Sequence, residues 1–470
     1  MSIISSYVLP HSQVLIPEIG QGKEKNAQAT IDAIKNAANR IAAEEPETII
    51  IITSHSNSYV DYFHISPGEK ASGDFNDYGV EDIKIEIEYD CEIVNTITEI
   101  CNEKGISAGT EGDEVAALDH GITVPLYYLQ PELKKPCKFV RISVSGFSLF
   151  KHYEFGKCIQ AACNKLGRKT VVIASGDSSH RLKEDGPFGF SKEAATFDSV
   201  FSTALDKANF IGFFAFENDE VENAIECVLR ASTIMAGALN GKDVEADLLC
   251  HESPYGVGMC VSCFKVTNPE ADSINEVREF DKALIEKIKE KLDNEEITDP
   301  YVKLAKKAVE TYVLDGKVIS AEEVKDEFPS EMFEKRNGVF VTIKIGKLTR
   351  GCMGTFSATK PDIATEIIAN AVDACVNDPR FIPIELEELD SLTYCIDLLG
   401  DFEHITNLKQ INPNKHGMFV SYGQKTGIML PKAEKVNTPE QQLEIILEKS
   451  GINKDDKYNM YRFKTGRHEN

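Results

Sequence analysis

The stretch TIIIITSHSNSY at residues 48–59 contains four consecutive isoleucines, Ile49 to Ile52, and His55 follows them closely. An uninterrupted apolar run of this kind is typical of a strand that is covered on both faces, as in a parallel sheet. In open α/β sheets the carboxyl ends of such strands open into the ligand crevice. His55 is therefore either a capped, packed histidine or part of a site at the strand end.

The remainder of the first 267 residues alternates between strand-like and helix-like patterns. Strands are predicted at residues 7–9, 49–52, 139–144, 170–174 and 259–266, and helices at residues 27–45 and 92–104. Apolar residues at steps of three and four indicate the helices. This alternation predicts an α/β fold with a largely parallel central sheet.

Composition and charge argue against several classes of function. The 470 residues are enough for two or three domains, and the formal net charge is −25. Nucleic-acid binding and docking on anionic lipid both need a basic face, so neither is expected. The 12 cysteines show no framework spacing, and the sequence contains no secretory signal and no apolar run that could span a membrane. We expect a cytoplasmic protein with reduced thiols.

The second half of the chain has a different pattern. Residues 268–298 are rich in charge and carry apolar residues at steps of three and four, which predicts an amphipathic linker helix. From residue 299 to 470 we predict an α+β domain. It has a helix from Tyr301, strands at 338–345 and 393–399 on either side of a helix at 362–375, and a hairpin at 417–430.

Histidines recur at the ends of the apolar runs in the first domain. They are His11 in LPHSQ, His55 in TSHSNSY, His120 in ALDHGITVPL and His180 in ASGDSSHRL, and Glu252 follows in CHESPYGVG. Taken singly, each histidine is explained by a hydrogen-bonded loop or core position. Two neutral imidazoles and one carboxylate, however, form the facial triad that holds non-haem Fe(II) and leaves coordination positions open. The recurrence of the pattern predicts a shared metal site.

The segments LPHSQVLIPEIG, TSHSNSYVDYF, LDHGITVPLYYL, SGDSSHRLKEDGPFGF and HESPYGVGM resemble the class III extradiol ring-cleavage dioxygenases. These enzymes form the LigB superfamily, which also includes the Memo proteins. The resemblance covers residues 1–267. It implies a LigB/Memo-like domain that uses Fe(II), or another divalent metal such as Zn or Mn. The implied reaction is the dioxygenation of a catechol-like or related small aromatic, whose ring is cut next to the diol.

The resemblance also implies roles for individual residues. His11, His55 and Glu252 would be the metal ligands. His180 would be the catalytic acid–base residue, since an imidazole of near-neutral pKa suits proton transfer. His120 would line the pocket as a second catalytic histidine that stabilises the substrate.

Three further positions in the first domain are assigned by the same comparison. Memo-like relatives carry a cysteine near the third-ligand position, where Cys250, His251 and Glu252 are adjacent here; we favour Glu252. Asp177 would orient an imidazole or bind substrate, or it would cap a turn. Tyr255 would donate a hydrogen bond to substrate, or it would be packed in the core.

The stretch KLTRGCMGTF at residues 347–356 is the most distinctive motif of the second domain. One interpretation is a tight turn in which Gly351 and Gly354 adopt positive φ around a buried cysteine. The functional alternative is a binding site or reactive thiol, in which Arg350 lowers the pKa of Cys352.

This motif, together with NAVDACVNDPRFIPIELEEL at residues 370–389, resembles the AMMECR domain, with Met353 in place of the usual isoleucine. The order of the two domains resembles the AmmeMemoRadiSam family, whose name implies a radical-SAM partner. The sequence contains no clustered Cx3Cx2C motif, so this chain would not hold that partner's iron–sulfur cluster.

The hypothesis is therefore an Fe(II) enzyme of the extradiol type that acts on a small aromatic molecule. Its AMMECR domain would work alongside a radical-SAM protein. Two alternatives stay open: a non-oxygenase metalloenzyme (a hydrolase, lyase or modifying enzyme) on the same scaffold, and a Memo-like metal-binding scaffold without catalysis. A homodimer is the general expectation for oligomers of this size.

Overall fold

The computed structural model describes residues 3–112, 117–216, 218–267, 286, 297–346, 348–433 and 436–469. The chain divides into two compact units, Met1–Leu284 and Ile285–Asn470. Most of the predicted linker helix at 268–298 lies outside the described residues, and the domain boundaries at 267 and 299 stay predictions. Within those described ranges, no helix is both long enough and apolar enough to cross a membrane.

A six-stranded sheet forms the centre of the first unit. The strands of this unit are β1 (Ile3–Leu9), β2 (Thr48–Thr53), β3 (Phe63–His64), β4 (Lys70–Phe75), β5 (Val80–Glu88), β6 (Ala108–Gly109), β7 (Lys138–Ser143), β8 (Thr170–Ser175), β9 (Val244–Glu252) and β10 (Met259–Val266). The order in the central sheet is β7-β2-β8-β1-β10-β9. The first four of these strands pair in parallel, and β10 and β9 join as antiparallel strands. The predicted largely parallel sheet is confirmed.

Helices cover both faces of this sheet. They are α1 (Pro17–Gly20), α2 (Gln28–Glu44), α3 (Cys91–Glu103), α4 (His120–Leu129), α5 (Leu149–Leu166), α6 (Lys192–Asp206), α7 (Asn218–Ala224) and α8 (Leu229–Ala238). Ile49 and Ile51 pack in one apolar cluster with α2 and α4. Ile50 and Ile52 pack on the other face with α3, α5 and α8. The isoleucine run is therefore explained by burial on both sides of the sheet.

The carboxyl ends of β1, β2 and β8 lie side by side at the same end of the sheet. Leu9 of β1 is opposite Ser175 of β8, and Ile52 of β2 is opposite Ala174 of β8. Because the three strands are parallel neighbours, the loops that follow them start at the same edge of the sheet. This register brings together segments that are far apart in sequence.

The second unit contains two four-stranded antiparallel sheets. Its strands are β11 (Val339–Ile345), β12 (Leu348–Gly354), β13 (Leu392–Leu399), β14 (Glu403–Ile405), β15 (Gly417–Tyr422), β16 (Lys425–Met429), β17 (Asn459–Phe463) and β18 (Thr465–Glu469). Its helices are α9 (Pro300–Asp315), α10 (Glu331–Glu334), α11 (Ile363–Val376) and α12 (Pro439–Ser450). The sheet orders are β12-β11-β13-β18 and β14-β17-β15-β16. The α+β class and the β15–β16 hairpin are as predicted.

Strand β11 shows how the two faces of the first of these sheets differ. Val339, Val341 and Ile343 are fully buried in the cluster that includes apolar residues of α9 and α11. Successive side chains of a strand point to opposite faces, so Thr342 and Lys344 face away from those helices. This second face borders a cavity, which is described below.

The motif at residues 350–354 is part of strand β12, which corrects the predicted tight turn. Neither Gly351 nor Gly354 has a positive φ. A Cβ atom at Gly351 would lie 2.1 Å from the carbonyl oxygen of Ala374, and one at Gly354 would lie 2.4 Å from the ring of Phe340. The glycines are required by close approach of the backbone to neighbouring groups, and not by backbone conformation.

Candidate metal centre

Three histidines converge at the carboxyl edge of the first unit's sheet. His11 follows β1, His55 follows β2, and His120 is the first residue of α4. One ring nitrogen from each lies within 4.8 Å of the other two. The Nε2 atoms of His11 and His55 are 3.1 Å apart, and the ring centroids of His55 and His120 are 4.1 Å apart. The sequence predicted that these histidines share a site.

The start of α4 is held against the end of β2 by hydrogen bonds to Asp119. The hydroxyls of Thr53 and Ser56 donate to the two carboxylate oxygens of Asp119, at 3.1 and 2.5 Å. A Cβ atom at Gly121 would lie 2.1 Å from the hydroxyl oxygen of Thr53. Only glycine therefore permits this approach, and the approach places the ring of His120 beside that of His55.

The ring of His11 is fixed in one tautomer by Ser175. The single hydroxyl proton of Ser175 is donated to the carbonyl oxygen of Gly121 at 2.5 Å, because a carbonyl can only accept. Ser175 Oγ must then accept the hydrogen bond from Nδ1–H of His11 at 3.1 Å. The lone pair of His11 is consequently on Nε2, the atom that faces His55. Orientation of a metal-binding imidazole through its other nitrogen is the usual arrangement in metalloproteins.

Burial keeps the three rings neutral. It lowers the pKa of His11 well below its ordinary value, and the neighbouring rings of His55 and His120 lower it further. Burial also lowers the pKa of His55, against an opposing effect of Asp119. The pKa of His120 falls to about 4 for the same reasons. Neutral imidazoles with free lone pairs are the form that binds a metal ion.

The spacing of these nitrogens fits a metal ion. Two nitrogen ligands that are each about 2.1 Å from one ion, at angles near 90 to 110°, are about 3 to 3.4 Å apart. The observed 3.1 Å between the Nε2 atoms of His11 and His55 falls in this range. The same distance also fits an N–H···N hydrogen bond from His55 to His11, in which a metal ion would take the place of the shared proton. The donor set therefore suits a divalent metal.

Cys227 and Asp177 form a second donor group around His11. One donor atom each of His11, Asp177 and Cys227 lies within 4.8 Å of the others. The Cys227 Sγ atom is 3.3 Å from Nε2 of His11, and Asp177 accepts hydrogen bonds from the backbone N–H of His11 at 3.4 Å and the hydroxyl of Ser12 at 2.7 Å. Asp177 thus contacts the backbone of His11 and not its imidazole, and its predicted orienting or substrate-binding role stays a prediction.

Cys227 was not singled out by the sequence reasoning. It lies directly before α8, and the carboxylate of its neighbour Glu226 accepts hydrogen bonds from the backbone N–H groups of Val228 and Leu229 at 2.7 and 2.6 Å. A Glu-Cys pair before a helix start was therefore the available signal, because thiolates are favoured near helix N-termini. Burial raises the pKa of the Cys227 thiol, and the nearby Asp177 raises it further.

His180 lies beside this cluster. Its Nδ1–H donates to the carbonyl oxygen of Ile225 at 2.6 Å. The other nitrogen, Nε2, is 3.9 Å from a carboxylate oxygen of Asp177. The proximity of His180 contributes to the lowered pKa values of His11 and His55. His180 therefore lies near the three histidines, and its acid–base role stays a prediction.

Glu252 and Tyr255 are not brought to the three histidines. A carboxylate oxygen of Glu252 accepts hydrogen bonds from the backbone N–H and the hydroxyl of Thr30, at 2.8 and 2.6 Å. Glu252 ends β9, which is separated from β1 by β10, so the lateral offset is about 10 Å. The Tyr255 hydroxyl donates to the carbonyl oxygen of Lys23. The expected ligand role of Glu252 is corrected by this placement.

The Arg350–Cys352 motif of the second unit also differs from its functional interpretation. Arg350 donates to both carboxylate oxygens of Glu388, at 2.5 and 2.9 Å, and to the carbonyl oxygens of Ile382 and Pro383. Burial raises the pKa of the Cys352 thiol, and the guanidinium that opposes this shift is that of Arg380. Arg350 is therefore a structural anchor, and it does not activate Cys352.

Comparisons with known proteins agree with this architecture. Residues 5–262 match the family described as the catalytic LigB subunit of aromatic ring-opening dioxygenase. Residues 302–468 match the AMMECR1 family. A protein of Clostridium acetobutylicum is 34% identical over 476 residues and is aligned over 100% of both chains.

Other relatives match about a third of the chain. A protein of Thermotoga maritima is 41% identical over 172 residues, which are 36% of this chain and 97% of the relative. A crystal structure of a Pyrococcus horikoshii protein aligns with 36% of this chain and 89% of its own, at 29% identity and a TM-score of 0.33. The family matches and the full-length relative lead to one conclusion. The chain belongs to the LigB family and carries an AMMECR1 domain fused behind its LigB domain.

Proposed function

We propose that the LigB domain is a metal-dependent enzyme of the class III extradiol type, acting on a catechol-like or related small aromatic. The observation that supports this best is the convergence of neutral histidines, with the facing Nε2 atoms of His11 and His55 3.1 Å apart. His11 and His55 would hold the metal, and the third donor would be His120 or Cys227 in place of Glu252. When bound, the metal would supply Lewis acidity toward the diol and, as Fe(II), access to dioxygen.

His180 is suited to the proton transfers of such a reaction. Its Nδ1–H is engaged by the Ile225 carbonyl, so the lone pair on Nε2 is free to accept a proton from a bound diol. The carboxylate of Asp177, 3.9 Å away, would stabilise the imidazolium that results. Asp177 also accepts from the backbone N–H of His11, so one carboxylate links the acid–base residue to a metal ligand.

The position of Cys227 favours a second candidate function. A thiol 3.3 Å from His11 Nε2 makes the donor set softer than the two histidines and one carboxylate of non-haem Fe(II) oxygenases. Such a set would equally suit a non-oxygenase metalloenzyme, or a Memo-like protein that binds a metal without catalysis. The two candidates differ in turnover.

Elemental analysis of protein purified without air would test the proposal. We expect about one metal ion per chain, its loss in His55→Ala, and its retention in His180→Ala. With catechols as substrates, O2 uptake should be present in the wild type and absent in His180→Ala, because the base is missing and the metal remains. Equal metal loss in His55→Ala and His180→Ala would contradict these roles.

A matched pair of variants would identify the third ligand. Cys227→Ser removes the thiol near His11, and Glu252→Gln removes the carboxylate bound by Thr30. Metal loss only in Cys227→Ser, without O2 uptake in the wild type, would favour the second candidate. Metal loss only in Glu252→Gln would restore the original assignment. The radical-SAM partner and the homodimer stay predictions.

A further inference from the structure

A cavity of about 400 Å³ in the second unit is lined by an unusual number of cations. The face of β11 that points away from the helices forms one wall. Residues 428–433 and helix α12 supply the opposite wall. Its five positively charged side chains are Lys344, Arg380, Lys432, Lys449 and Arg467.

The two arginines are neutralised by buried aspartates. Arg380 donates to both carboxylate oxygens of Asp378, at 2.9 and 2.6 Å. Arg467 donates to both oxygens of Asp397, at 2.9 Å each. These pairs hold the arginines in the wall of the cavity. Because each guanidinium already has a carboxylate partner, it has little residual positive charge to attract an anionic ligand.

The three lysines have no such compensation. In the ranges of the chain that the structure describes, no carboxylate forms an ion pair with Lys344, Lys432 or Lys449. The chain as a whole has 76 acidic residues against 51 basic ones, so carboxylates are plentiful elsewhere. Three ammonium groups without a carboxylate partner thus border one cavity, and an anion placed among them would be attracted by all three. Lys432 moreover has φ = 58°, which is uncommon for a residue other than glycine.

The rest of the lining indicates what kind of anion would fit. Thr342 and Thr349 supply hydroxyl groups on the cationic side. Ile428, Met429 and Val436 supply an apolar surface on the other side. A volume of about 400 Å³ lies within the range of small-molecule sites. Lysine ammonium groups are typical phosphate binders, and hydroxyls can donate to phosphate oxygens.

We propose that this cavity of the AMMECR1 domain binds a small organic phosphate, with its phosphate among Lys344, Lys432 and Lys449 and its apolar body against residues 428–436. The proposal does not depend on the metal centre, because every residue it uses lies in the second unit. The cavity was not anticipated by the Arg350–Cys352 motif, although Cys352 lies in its wall.

Calorimetric titration of the full chain with three probes would test the proposal. Phenyl phosphate carries both features, inorganic phosphate lacks the apolar body, and benzoate lacks the phosphate. We expect saturable binding of phenyl phosphate that is at least tenfold tighter than that of either other probe. Binding should weaken as salt is raised, because the contacts are ionic.

Two double variants with the same change in charge would locate the site. Lys344→Gln with Lys449→Gln should weaken phenyl phosphate binding at least tenfold. Lys409→Gln with Lys415→Gln, two exposed lysines of the same unit that do not line the cavity, should leave it unchanged. Equal weakening by both pairs, no saturable binding, or benzoate binding as tight as that of phenyl phosphate would overturn the proposal. Inorganic phosphate binding as tightly as phenyl phosphate would overturn the part played by the apolar wall.

Discussion

The candidate metal centre of the first unit contains neutral groups with lone pairs, whereas the cavity of the second unit is bordered by positively charged groups. At the metal centre, neutral imidazoles direct lone pairs at one point, and His11 and His55 have Nε2 atoms 3.1 Å apart. In the cavity, ammonium groups border one space without a carboxylate among the described residues to balance them. We therefore expect a cation to stabilise the first arrangement and an anion to stabilise the second.

The two units also differ in what shifts the pKa values of their buried ionisable groups. In the first unit burial lowers the pKa of His152, as it does that of His11, whereas a hydrogen bond to Asp198 raises the pKa of His251. The Nδ1–H of His152 donates to the carbonyl oxygen of Ser148 at 2.6 Å, and its Nε2 accepts from the backbone N–H of Ser145 at 3.2 Å. In the second unit, Arg380 keeps the Asp378 carboxylate charged and lowers its pKa to about 2.

Acid should therefore remove the stabilising contribution of His152 in the first unit before it affects that of Asp378 in the second. This is the largest effect we predict. Burial lowers the pKa of His152 to about 3, whereas unfolded chain has a histidine pKa of about 6.5. The unfolded chain binds the extra proton first, so stability is lost as pH falls below 6.5. Between pH 6.5 and 4 the loss from His152 alone is about 3 kcal/mol. The Asp378 pair keeps its contribution in this window, since that is lost only below the unfolded value of about 3.9.

Hydrogen exchange, resolved by peptide, would measure this difference between the units. Exchange of β7 and α5 should accelerate between pH 6.5 and 4 relative to β11 and β13, after correction for the intrinsic rate. In His152→Gln the first unit should be weaker at pH 7 but should lose about 3 kcal/mol less over the same window. The same acid sensitivity in wild type and variant would contradict the assignment to His152.

A smaller effect would sharpen the description of the metal centre. Ser175→Ala removes the hydroxyl that orients His11, so the ring is free to turn or change tautomer. We expect metal affinity to fall by about 10- to 100-fold without unfolding. Competition with a chelator would measure it. Ser143→Ala, at the buried end of β7, which β2 separates from β8, should leave the affinity unchanged, and a comparable loss there would mean that the effect is on packing.

The smallest effect concerns the motif of the second unit. Glu388→Gln breaks the two-pronged ion pair with Arg350, and the free energy of unfolding of that unit should fall by about 1.5 kcal/mol. Phenyl phosphate binding should not change, because neither residue lines the cavity. Glu323→Gln loses an exposed ion pair with Lys317 and keeps an amide oxygen that can accept from the backbone N–H of Ser320, so it should have little effect on stability. Loss of phenyl phosphate binding in Glu388→Gln would mean that the Arg350–Cys352 motif contributes to the phosphate-binding cavity, and would contradict this prediction.

The first unit could be predicted well from sequence because its signals are local. The run at Ile49 to Ile52 indicates a strand covered on both faces, and a histidine after such a strand falls at the ligand edge. The assignment of Glu252 as a metal ligand failed because a carboxylate at a strand end does not indicate how many strands separate it from the site. Cys227 was missed because it follows a short helix, where no apolar run marks the edge of the sheet.

The second unit could be predicted as a fold but not as a site. Its helices and strands follow ordinary periodicity, and Gly351 was correctly noticed although for the wrong reason. Lys344, Lys432 and Lys449 come from a strand, a loop and a helix, and lysine is common on any surface. Their convergence depends on how two sheets face each other, which no local pattern encodes. Arg350 was over-interpreted because a sequence does not reveal the partner of a charge.

The position of β1 inside the sheet has a consequence for biosynthesis. β1 is synthesised before β8 and β10, which end at Ser175 and Val266, yet it lies between these two strands in the sheet. At typical rates of translation, roughly 10 to 50 s pass between the synthesis of His11 and that of its last neighbouring strand. For that interval the nascent chain carries its histidines without the sheet that aligns them. The proposed metal should therefore bind only after β10 has been synthesised.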